Sequence, residues 1–323
     1  MRKALSKCCR NIRWKDSVVG YELHAVRNTY RLIDDIKAGR YKISPYQHFT
    51  IYEPKQREIV ATRIKDRQFQ MALCMGGLYD DITEHFIHDN CACQVGKGTD
   101  FALKRIKTHM RRFHVRHGKD GYVLKLDVHH FFPTTRRDVA CKAIEKRVGD
   151  VRARQAVCDV INSFDGDIGI GLGSQISQLV ELAVLDDLDH FIKEKLHIKY
   201  YVRYMELAKI HLSLNPKSCL YPLRQGIKFL HWHFYYTRTG GIKQRMDGTK
   251  TGKERRRLKA LLKKEYKGEV PVDAARLSLE AWCANAKRGN TFFQQKRMIA
   301  YYEHMKGELS NGNNSRVAVE SRT

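Results

Sequence analysis

The stretch Tyr122–Phe132, YVLKLDVHHFF, decides the fold class. Tyr122, Leu124, Leu126 and Val128 alternate with Val123, Lys125 and Asp127, the period of two that marks a strand. Asp127 closes that strand beside a loop and two aromatics, Phe131 and Phe132. A carboxylate so placed suits Mg²⁺, which takes hard oxygen ligands. Taken alone, a strand-end Asp serves more often as a turn or cap. Pro133 stops the strand, and Thr134 or Thr135 is expected to cap a following helix that runs to about Val148.

Working outward, residues 22–40 carry Leu23, Val26, Tyr30, Ile33 and Ile36 at helical spacing on a basic background. HFTIYEPKQREI reads as strand interrupted by Pro54, and residues 58–90 as largely helical. Asp100 to His114 reads as a basic helix, and Gln175 to Leu196 as a long amphipathic one after the flexible GIGLGS. KYYVRYM is expected as a second strand and GIKFLHWHFYY, after the Asn215-Pro216 turn, as a third. Lys253 to Tyr302 is helical and basic, and residues 309–323 read as a disordered tail. Strands mixed with helical basic arms make an α+β chain.

The 323 residues carry 60 Lys+Arg against 35 Asp+Glu, a net charge of +25. With 42% hydrophobic and 29% charged residues, a packed core is feasible and wholesale disorder is not. The longest uncharged apolar stretch, Met71 to Tyr79, is far short of the ~18 residues of a membrane span. The N-terminus shows no secretory signal, and nine cysteines without a CxxC pair suit a reduced, cytoplasmic protein. A charge of +25 opposes compaction and points to a polyanionic partner, nucleic acid first. The charge is segregated. Residues 251–300 hold thirteen Lys/Arg against five acids, while residues 171–190 have none yet carry Glu181, Asp186, Asp187 and Asp189.

Several single motifs are weak. Gly169, Gly171 and Gly173 follow no clear strand, so a dinucleotide fingerprint is poorly supported. Gly96-Lys97-Gly98-Thr99 lacks the earlier glycine of a phosphate-binding loop. His129-His130 and His231/His233 have no further ligands at metal-binding spacing.

Taken in order, the segments from Tyr46 to Tyr236 resemble the motifs of a reverse transcriptase, an RNA-directed DNA polymerase of the compact bacterial or phage retroelement type (group II intron-, retron- or diversity-generating-like). IYEPKQREI and RIKDRQFQMAL resemble the fingers, with Lys55 and Arg57 at positions that hold the triphosphate. YVLKLDVHHFF resembles palm motif A: Asp127 falls on the first metal carboxylate, Val128 supplies a backbone carbonyl, and Phe132 matches the aromatic that excludes a ribose 2′-hydroxyl. GIGLGSQISQLVELAVLDDLDHFI resembles motif B. There Gly173, Ser174 and Gln175 line the nascent base pair, the first two facing template and primer and Gln175 the nucleotide. LSLNPKS and GIKFLHWHFY resemble the last palm motifs, with Lys217 near pyrophosphate and Trp232 in the primer grip.

The resemblance implies a right-hand polymerase fold: fingers over 1–115, palm over 116–240 with interleaved fingers helices at about 134–165, and a basic helical thumb over 241–308. It implies Mg²⁺ as cofactor, with RNA template, DNA or RNA primer, dNTP and an accessory retroelement protein as partners, and no membrane. Two departures stand out. The family's motif C carries two adjacent aspartates on a tight hairpin, whereas this chain passes from YVRYM directly to ELAKIHLSLNPKS, as if a few dozen residues were deleted at Met205–Glu206. The palm should then be incomplete, with an exposed sheet edge, and polymerisation lost or severely impaired. His231 also stands where the primer grip has glycine. The alternative function is a non-catalytic RNA-binding scaffold.

Overall fold

A computed structural model describes residues 1–52, 56–126, 131–166, 168–171, 173–204 and 218–320, with Arg57, Phe131, Phe132 and 310–320 by backbone alone. The protein is mixed α+β, 58% helical with small antiparallel sheets. It divides into two compact units, Met1–Arg105 with Lys125–Cys219, and Ile106–Leu124 with Leu220–Thr323.

The first unit opens with helices α1 (Arg2–Cys9), α2 (Asp16–Leu23) and α3 (Ala25–Lys37). Leu5, Cys9 and Val18 form their small core, and the Gln68 side chain ties them together, accepting from Tyr21 Oη and donating to Thr29 Oγ1, each at 2.9 Å. The apolar stripe expected to define α3 faces outward at Leu23, Val26 and Tyr30, because Thr29 and Leu32 take the buried side. Strands β1 (Gln47–Ile51) and β2 (Arg57–Ala61) pair antiparallel from Gln47↔Ala61 to Ile51↔Arg57. Aromatic and β-branched residues on both sides of a proline-containing turn favour that hairpin. α4 (Ile64–Leu73) and α5 (Tyr79–Thr83) flank a π-turn at Cys74–Leu78. α6 (Thr99–His117) covers the expected basic helix.

Strand β3 (Tyr122–Lys125) realises the alternating stretch, and α7 (Phe131–Thr134), α8 (Arg137–Glu145) and α9 (Val151–Asn162) follow. The expected threonine cap does not form: α8 starts from Arg136, and Thr135 turns inward to a buried glutamate. α9 is capped by Asp150, which accepts from Ala153 N at 2.8 Å. α10 (Gln175–Val184) and α11 (Asp186–His190) replace the single long helix, with a break at Leu185. α10 is buried nearly all round, and Ile176, Leu179, Val180 and Ala183 join Ile144, Val157 and Ile161 in the main core of this unit.

The strand expected at KYYVRYM is not formed within its described residues. Arg203 makes only an isolated parallel bridge to Asn90. Its guanidinium is fully buried and grips Asp189 with contacts of 2.7 to 2.9 Å, which fixes this segment by its side chain rather than by a ladder. The acids of residues 171–190 are likewise held in internal contacts, Asp186 and Asp187 by Arg147 at 2.9 and 3.0 Å.

In the second unit β4 (Cys219–Pro222) pairs with β3, and β5 (Ile227–Phe229), β6 (Trp232–Tyr236) and β7 (Ile242–Met246) form an antiparallel meander. The single strand expected over GIKFLHWHFYY is therefore a hairpin, turning at Leu230-His231 with φ of +47° and +67°. Among the described residues no third strand joins β3–β4, and Tyr122, Leu124 and Leu220 on it are exposed. Helices α12 (Gly248–Tyr266), α13 (Ala274–Ala286) and α14 (Phe292–Glu320) pack through Leu258, Leu262, Trp282 and Met298. α14 continues as helix to Glu320, through the stretch expected as a disordered tail. No helix among the described residues is long and apolar enough to cross a membrane.

Candidate functional site

The residues that assemble most closely lie in the first unit, where the glycine loop before α10 meets the β1–β2 hairpin. Gly173 has φ +132°, and a Cβ there would stand 2.8 Å from the Val60 carbonyl oxygen of β2. Gly169, at φ +96°, approaches the Pro133 carbonyl just as closely, at 2.7 Å. Only glycine allows this backbone-on-backbone packing. The glycines are thus explained by close approach, with no dinucleotide needed.

Three side chains hold the loop from behind. Arg137 donates to the carbonyls of Gly169, Phe164 and Asp165 at 3.1, 2.8 and 2.9 Å. The Thr135 carbonyl accepts from Gly169 N at 2.9 Å, while its hydroxyl donates to Glu181 at 3.0 Å. Glu181 lies on the buried face of α10, and burial pushes its carboxyl well above the usual range, against the smaller opposing effect of the Thr135 bond. The hairpin is anchored by Tyr46, which stacks on Phe164 at 4.7 Å and shares a 2.6 Å hydrogen bond with Ser163.

Ser174 caps α10. Its hydroxyl accepts from Ser177 N at 3.4 Å and donates to Gln70 Oε1 of α4 at 2.9 Å. Beside this cap is a cavity of about 160 Å³ lined by Cys8, Thr62, Arg67, Gln70, Gln175 and Gln178, together with Met71, Gly173 and Ser174. Gly173, Ser174 and Gln175, singled out in the sequence, are therefore brought together. Arg67, Gln70 and Arg137 were not singled out. The one signal for them was a helix, IKDRQFQMAL, in which Asp66, Gln68 and Gln70 are buried alongside Phe69.

Other expected site residues are placed elsewhere or not at all. Lys55, Asp127, Val128 and Lys217 lie outside the described residues, as do Glu206 and the Met205–Glu206 junction. Arg57 and Phe132 are described only as backbone, in β2 and α7. Trp232, expected at the primer grip, is 3% exposed in the second unit; a Cβ on Gly289 would stand 2.4 Å from its ring, so the indole packs inside rather than presenting a face. Lys97 of the P-loop-like turn donates to the carbonyls of Asn90 and Ile87 at 3.0 and 3.4 Å, a fastening of the loop. His233 Nε2 lies 2.8 Å from the Gln225 carbonyl oxygen.

The Mg²⁺ ligands expected at Asp127 and Val128 are outside the described residues, and among those described no group of three or more His, Cys, Asp or Glu is placed to hold a metal. No protein-family model matches the chain, and no curated protein matches it.

The second unit contributes charge. α12 carries eight Lys/Arg against Glu254 and Glu265, and Leu258 and Leu262 are its buried residues. Such a helix presents most of its cations to solvent, where phosphates can reach them.

Proposed function

We propose that this chain is a relative of the reverse transcriptases that retains nucleic-acid binding and has lost templated extension. The observation that carries the reading is the contact of Gly173 with Val60, because it brings a motif B-like loop onto a fingers-like hairpin far away in sequence. The basic α12 and the net charge of +25 supply the electrostatic term for RNA or a primer–template duplex.

In the family reaction the primer 3′ oxygen bonds to the α-phosphorus of a dNTP as pyrophosphate leaves. Bound Mg²⁺ supplies charge stabilisation at those oxygens. Here Asp127 is the one carboxylate left of the family's three, a donor set that does not fit a pair of metal ions. Extension should therefore fall by orders of magnitude, since each ~1.4 kcal/mol of lost stabilisation is tenfold in rate. Lys55, Arg57 and Gln175 would meet a nucleotide by charge and hydrogen bonding, without turnover.

The test pairs two assays on the full chain. Binding to an RNA–DNA primer–template should weaken steeply with salt, by roughly 0.7–0.9 in log K per log salt for each phosphate neutralised. Primer extension with Mg²⁺ and dNTPs should not exceed that of Asp127→Ala. Extension abolished by that substitution would restore the polymerase reading, and salt-insensitive or absent binding would remove both.

A further inference from the structure

We infer that the pocket at the N-terminus of α10 is a binding site for a phosphate-class oxyanion. This goes beyond the polymerase reading: it shares Gly173, Ser174 and Gln175 with it, but requires neither primer extension nor the second unit.

The first ground is the chemistry of the lining. Arg67 brings a guanidinium, Thr62 a hydroxyl, and Gln70, Gln175 and Gln178 carboxamides, while no carboxylate lines the pocket. Guanidinium and amide N–H groups are the donors that match phosphate geometry. The first-turn N–H groups of α10, a ten-residue helix, have no carbonyls of their own helix to bond, and the helix dipole adds positive potential at this end. Cys8 does not oppose an anion, because burial raises its thiol to about 11 and keeps it neutral.

The second ground is independent and concerns Gln70. Its side chain is 1% exposed, and its Nε2 has no hydrogen-bond partner. The Ser174 hydroxyl accepts from Ser177 N, so its single proton is free to go to Gln70 Oε1. That bond fixes the amide orientation and leaves the donor end over. A buried amide donor with nothing to donate to is uncommon in folded proteins, and here it lines a cavity otherwise walled by donors. A volume of about 160 Å³ suits a phosphate group, and lies below the ~300–1,000 Å³ of pockets that enclose whole drug-sized ligands.

The phosphate can be free or part of a nucleic-acid backbone, and the experiment separates the two. The full chain is titrated with sodium phosphate in chloride buffer and followed by calorimetry. One saturable site is expected. Arg67→Met and Gln70→Met should each weaken it about tenfold, the worth of a charge-assisted hydrogen bond, while the exposed Arg152→Met should leave it unchanged. Arg152→Met controls for the loss of one positive charge from a strongly basic chain. Arg67 is at the surface, so its variant keeps the fold even if Gln70→Met does not; near-ultraviolet circular dichroism checks both. A trinucleotide that displaces phosphate assigns the site to a phosphodiester, and one that does not assigns it to free phosphate. Absence of a saturable site, or equal affinity in wild type and Arg67→Met, would overturn the inference. Because no primer or template is present, loss of RNA binding or recovery of primer extension leaves this result standing on its own.

Discussion

Two turns in this molecule ask the backbone for the same unusual conformation and receive different residues. The loop before α10 has positive φ at Gly169 and Gly173 and is supplied with glycine at both. The two-residue turn between β5 and β6 has positive φ at Leu230 and His231 and is supplied with neither glycine nor asparagine. In the first case the missing Cβ is required twice, for the dihedral and for the approach to Val60 and Pro133. In the second only the dihedral is at stake, and pairing Phe229↔Trp232 across the turn holds it in place. Strain is tolerated where a sheet over-determines the chain, and glycine is kept where backbone meets backbone.

The comparison breaks first at Gly173. Gly173→Ala should lower unfolding stability by about 3 kcal/mol, since both the dihedral and the Val60 carbonyl oppose the methyl group. Urea denaturation checks it, and a change below about 0.5 kcal/mol would show that the loop is not packed this way. The opposite sign is expected at the other turn. Leu230→Asn with His231→Gly should stabilise the chain by about 1 kcal/mol, because left-handed residues other than glycine and asparagine carry a penalty of roughly that size each. The gain should appear as a higher denaturant midpoint with an unchanged slope.

The smallest effect concerns pH. Burial, and secondarily Lys250, pulls the His231 imidazole below its ordinary value of 6.5, with Asp247 opposing. The unfolded chain then takes up the proton more readily than the folded one, so this group's contribution falls as pH drops below about 6.5. It is complete above that value. His231→Gly should flatten that part of the stability profile between pH 5 and 7, and a profile unchanged by the substitution would rule the assignment out.

Much of the first unit was legible in the sequence. Pro54 between two β-rich runs gave the hairpin, and the apolar periodicity before and after the glycines gave α6 and α10. The second unit was legible in its helices and less so in its sheet. Nothing in Leu230-His231 signals a turn, because the residues that usually do so are absent. KYYVRYM looked like a strand by composition, but a strand needs a ladder, and the buried Arg203–Asp189 pair sets that segment instead. Of the candidate site, Ser174 and Gln175 could be read from their place at a helix start. Arg67 and Gln70 could not, since their meeting with α10 depends on tertiary packing between α4 and α10 that no local spacing encodes.

The two-stranded sheet β3–β4 has a colloidal consequence. Tyr122, Leu124 and Leu220 form exposed apolar area on a sheet with free edges, a surface on which other strands can add. In dilute, low-salt solution the charge of +25 keeps copies apart. Raising the salt shortens the screening length from ~30 Å at 0.01 M to ~3 Å at 1 M and removes that protection. The ordinary remedy for releasing a basic protein from nucleic acid is therefore the condition under which this one should begin to self-associate.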